Sequence, residues 1–154
     1  YLLACQPAGL GHGCRLARAP RADADDRAAY RFWDGAGWSE DVADAEVMID
    51  GVGAAVSIHH NAHLDAYLAV TSAPLSNDLV LRTAPAIEGP WPSRGLRVRA
   101  DEWDAIQPAG EGTNYLMQEQ AALSSADGRE VVISYSRPPG AFRGEVRLAR
   151  VVLE

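Results

Sequence analysis

Apolar and polar residues alternate in short stretches along this chain, a period of two that predicts strands and almost no helix. In EVVISYS, Val131, Ile133 and Tyr135 fall on one face and Val132, Ser134 and Ser136 on the other. AVSIHHN runs to a turn, AHLD, and on into AYLAVTS. QAALSS, Gln120 to Ser125, runs to ADGR and then into EVVISYS, and Asp127-Gly128 is a strong hairpin signal. At the start, YLLACQPAGLGHGCRLAR reads as two short strands around a loop holding Pro7, Gly9, Gly11 and Gly13.

One phrase returns. CRLARAP (Cys14 to Pro20), LVLRTAP (Leu79 to Pro85) and VRLARVV (Val146 to Val152) are alternating strands that end near an arginine: Arg18, Arg82 and Arg150. A Trp segment follows the first two, YRFWDGAGW and EGPW. Each Arg strand after the first is preceded by a hairpin. The unit is therefore four antiparallel strands in roughly 65 residues, the size of a β-propeller blade. The expected fold is all-β, a partial propeller of about two and a half blades. Residues 1–50 supply strands b to d of one blade, 51–100 a complete blade, and 101–154 strands a to c of the last. Ending on a third strand, the chain calls for closure by a strand from elsewhere, and for the remaining blades as partners. The repeated arginines are expected to pair with carboxylates. Trp38 and Trp91 are expected at equivalent blade-packing positions, in preference to ligand stacking.

Composition narrows the function classes. The 154 residues carry a net charge of -7, and all 14 cations are arginine. An acidic surface repels phosphate backbones, which argues against nucleic acid as a partner. No apolar run is long enough to span a bilayer. YLLACQPAG has no basic n-region and does not read as a signal peptide; opening on an apparent strand, it reads as part of something longer. Cys5 and Cys14 leave two alternatives open. If the first two strands form a hairpin, they face each other and can bond, which implies export; otherwise they are free, half-buried thiols.

LARAP, YRFWDGAGW, VSIHHNAHL, LRTAPAIEGPW, DGREVVISYSRP and VRLARVVL, in that order, resemble the C-terminal half of a bacterial secreted five-bladed propeller family. That family is catalogued as a domain of unknown function, includes endo-acting D-arabinanases, and is related in architecture to the arabinanase and sucrase glycosidases. The resemblance implies a secreted or cell-envelope protein that acts on arabinan-type or other furanose glycans. A non-catalytic carbohydrate-binding or scaffolding propeller is the alternative it leaves. A third reading is a structural half-domain with no activity of its own.

Glycoside hydrolysis usually needs two carboxylates. The resemblance places an acid in the stretch GAAVS, where this chain has Ala54-Ala55, and a His-Pro pair where it has Gln120-Ala121. The acid left beside an inner-strand start is Glu119 in MQEQ, either a general acid or an exposed loop glutamate. Gln118 and Gln120 flank it. His59, His60 and Asn61 offer hydrogen bonds to sugar hydroxyls or simply pack a blade turn. His59 and His60, adjacent on a strand, point to opposite faces, so a zinc site with His63 is not expected. Trp103, in DEWDAIQPAG, is a candidate glycan platform on a long loop. RADADDRAAY lacks the glycine and terminal glutamate of a calcium loop and reads as a solvated loop or turn. Ser57 has no base or acid at a recognisable spacing, which removes a serine-hydrolase reading. No glycine-rich phosphate loop opens a helix, so neither cofactor nor metal is expected.

Overall fold

The computed structural model describes residues 1–98, 113–140 and 143–154. Among these residues there is no α-helix; twelve strands build three antiparallel sheets.

The N-terminal sheet contains β1 (Leu2–Ala8), β2 (Gly11–Arg18), β3 (Arg31–Trp33), β4 (Trp38–Ser39) and β5 (Val47–Val52). β1 and β2 form a hairpin in which Cys5 lies opposite Cys14, and the two are bonded as a disulfide. Pro7, Gly11 and Gly13 belong to these strands; the loop is only Gly9-Leu10. β3 and β5 share the other edge of β2. The acidic stretch after β2 folds into two exposed 3-10 turns, Arg21–Asp23 and Arg27–Ala29.

The middle sheet is a four-stranded meander of β6 (Val56–Asn61), β7 (Ala66–Ser72), β8 (Leu79–Ala84) and β9 (Leu96–Val98). The C-terminal sheet holds β10 (Tyr115–Glu119), β11 (Glu130–Gly140) and β12 (Arg143–Val152). Here the expectation shifts. Gln120 to Ser125 is a turn, and the strand precedes it. Glu119 therefore ends its strand instead of preceding the start of one. A β-bulge hid this from period-two counting: the register slips by one residue between Tyr115 and Gln118, with Leu116 at φ 56°. The bulge keeps Met117 and Glu119 on the face shared with Ile133.

The middle sheet lies between the other two. Its inward residues Leu68, Val70, Leu79 and Leu81 meet Met117, Val131, Ile133 and Tyr135 of the C-terminal sheet. Burying each such side chain contributes about 1.5–3 kcal/mol. On the opposite face Ala69 meets Cys14, Ile49 and Val52 of the N-terminal sheet.

The three repeated arginines have three different fates. Arg150 lies 3.4 Å from the Glu130 carboxylate, as expected. Arg82 is buried and donates to the backbone carbonyls of Asp50 and Gly51, with the Asp50 carboxylate at 4.0 Å. Arg18 stacks over the Trp38 ring at 4.0 Å.

Candidate functional site

At one end of the contact between the middle and C-terminal sheets, two residues sixty positions apart meet. His59 Nδ1 and Glu119 Oε2 are 3.2 Å apart. Strand alternation explains the meeting: Ser57, His59 and Asn61 share one face of β6, and that face turns toward β10. Glu119, opposite Ile133 in β11, is directed into the same interface. Its backbone N–H donates to Ser57 Oγ at 2.7 Å, which fastens the end of β10 to β6.

Burial differs sharply across the pair. The Glu119 side chain is 7% exposed and the His59 side chain 43%. A nearly buried carboxylate needs a donor, and the imidazole Nδ1 stands where it can be one in the tautomer that carries its proton there. With Glu119 ionised, the Nδ1 proton is the one donated. Much of the imidazole remains open to solvent, so the pair can pass a proton between a dry carboxylate and an external group.

The other sequence candidates scatter around this pair. His60 points to the opposite face of β6, its ring edge-on to Tyr67 at 5.3 Å and its Nε2 3.9 Å from Asp65. His63 is exposed in the following turn. Asn61 is buried and its amide is engaged at both ends: Nδ2 donates to Gly128 O at 2.8 Å, and Oδ1 accepts from Leu64 N at 3.0 Å. These two bonds make it a bracket between two turns, in keeping with the packing role that was one of its two expected readings. Gly128 has φ 76°, and a Cβ there would stand 2.8 Å from Asn61 Oδ1, so only glycine fits. Gln120 donates from Nε2 to Ser134 Oγ at 2.8 Å. Gln118 pairs in register with Ser134, on the face away from Glu119. Trp103 lies outside the described residues. Among the described residues, no three His, Cys, Asp or Glu side chains group to hold a metal ion.

Ser57 is the residue that sequence reasoning passed over. Its signal is its i, i+2 relation to His59, which puts both on one face of β6.

A family model described as Domain of unknown function (DUF4185) matches residues 1–106, a stretch that includes His59 and stops short of Glu119. No curated protein matches the chain.

Proposed function

We propose, for a chain that belongs to the DUF4185 family, a role on glycans: the three sheets are blades of a secreted β-propeller that hydrolyses arabinan-type or other furanose polymers. The observation that carries this reading is the buried Glu119 carboxylate bonded to a half-open His59. Glu119 is the acid–base group, and His59 sets its proton. Hydrolysis then draws its second carboxylate from residues beyond those described. The four-stranded meander of the middle sheet, packed face to face against its neighbours, supports a blade architecture with β6 and β10 innermost. The remaining blades complete the channel. The Cys5–Cys14 disulfide supports an oxidising, extracellular location.

The test is reducing-end release by the complete protein from a panel of furanose and pyranose polysaccharides. Glu119→Gln keeps the shape of the side chain and removes its proton exchange; turnover falls by about 10²–10⁴. Unchanged turnover would take Glu119 out of the mechanism. A second reading, a non-catalytic carbohydrate-binding propeller, is favoured by Gln120, whose amide is fastened to Ser134. Glycan binding without release of reducing ends selects it.

A further inference from the structure

A groove of about 590 Å³ opens at the junction of the N-terminal and middle sheets, lined by Trp33, Val47, Met48, Glu88, Pro90 and Trp91 among others. None of its lining belongs to the His59–Glu119 pair. Both indoles are held by neighbours. Trp91 Nε1–H donates to Ile87 O at 3.1 Å, and Gly89 packs so closely that a Cβ there would stand 3.1 Å from the Trp91 ring. Trp33 lies edge-on to Trp38, with centroids 5.5 Å apart. The far member of that aromatic pair already holds one cation, since the Arg18 guanidinium stands over Trp38.

The charge of the groove is one-sided. Glu88 is in its wall, and among the described residues no arginine lines it. Glu46 adds a second acid at the rim: its Cγ lies 3.7 Å from where a Gly35 Cβ would be. Two indole side chains, a thioether and a half-buried carboxylate suit a cation that is large, weakly hydrated and apolar at its surface. A compact, strongly hydrated ion would lose its water without recovering it here. Trp faces attract such cations through the ring quadrupole, and a carboxylate adds to that attraction.

We propose that this groove binds a small soluble quaternary ammonium compound, with its onium head against the Trp33 and Trp91 indoles and Glu88 as the counter-charge. The assignment is independent of the glycan reading and survives its failure.

The experiment is calorimetric titration of the whole chain with choline chloride at constant ionic strength, alongside 3,3-dimethylbutan-1-ol, its neutral isostere. Choline binds saturably and the isostere binds about ten-fold more weakly or not at all. Glu88→Gln lowers choline affinity by about ten-fold with the fold intact by circular dichroism. Trp33→Leu abolishes binding; because Trp33 packs on Trp38, the Glu88 variant is the deciding one if Trp33→Leu does not fold. Equal binding of choline and isostere, with no effect of Glu88→Gln, would reduce the site to an apolar groove and overturn the proposal. So would saturable binding of a neutral oligosaccharide without choline. Binding to phosphatidylcholine vesicles without free choline would make it a lipid-surface contact and overturn the soluble ligand.

Discussion

The two faces of the middle sheet make contact in different ways, although they come from the same strands. Toward the C-terminal sheet β7 and β8 present Leu68, Val70, Leu79 and Leu81, and the contact is apolar throughout its centre. Toward the N-terminal sheet the alternate residues are Ala69, Thr71, Val80 and Arg82, and among the described residues the fully buried apolar cluster is Cys14, Ile49, Val52 and Ala69. Hydrogen bonds complete that second contact. Arg82 donates to Asp50 O at 2.6 Å and to Gly51 O at 3.2 Å. Thr71 Oγ1 accepts from Gly53 N at 3.0 Å and donates to Ala55 O at 2.6 Å. Apolar burial is strong but non-directional; hydrogen bonds contribute less net free energy but fix position. One interface supplies cohesion and the other sets register, and period two along a strand is what separates them.

The largest way to strain this contrast is a matched pair of truncations. Ile133→Ala, at 0% exposure in the apolar contact, costs about 2–5 kcal/mol through lost transfer energy and the cavity left behind. Ile49→Ala, at 2% exposure in the thinner contact, falls at the low end of that range, near 2 kcal/mol, because fewer apolar neighbours surround it. Urea unfolding of both variants checks it, and equal losses would mean that the two contacts are packed alike. The next test is Arg82→Met. Burial pulls the Arg82 guanidinium below its ordinary value, with Asp50 opposing. Removing it relieves that desolvation but leaves two carbonyls unpaired. The net loss is about 1–3 kcal/mol, less than two charge-assisted hydrogen bonds would give alone. A variant as stable as the parent would show that Arg82 sets position without adding stability.

The contrast also separates what the sequence discloses from what it hides. Alternation alone located β6, β7, β8 and β11, and the spacing of Cys5 and Cys14 allowed the bond that forms. It misplaces β10, because Leu116 breaks the two-residue count and because Gln120 to Ser125, though poor in branched side chains, reads as a strand before the Asp127-Gly128 turn. The site was legible only as residue types. His59 and Glu119 sit 60 positions apart in different sheets, and no local motif encodes their meeting. Nor does the repeated arginine phrase disclose that its copies go to a ring, to backbone carbonyls and to a carboxylate. Those fates depend on which sheet each strand meets.

The smallest effect concerns the polar margin of the apolar contact. Asn61 reaches from β6 to Gly128 O, and Gly128 stands in a turn organised by Asp127. The Ser125 hydroxyl first, and the Arg129 backbone N–H next, hold the Asp127 carboxyl below its ordinary value of 3.8. A carboxyl with a depressed folded value adds stability above its unfolded value and loses it as pH falls through the folded one. The turn is therefore intact at neutral pH and loosens under acid below pH 3.8. Asp127 is fully exposed, so global stability hardly moves, and the change appears locally as lower hydrogen-exchange protection factors at Gly128 and Arg129, with intrinsic exchange corrected for pH. Asp127→Asn removes the charge at every pH and abolishes the acid dependence of that protection. If protection in the parent stays flat through the acid range, the turn does not depend on its carboxylate. The Asn61 bracket would then be held by the glycine backbone alone, and the margin of the apolar contact would be as insensitive to charge as its centre.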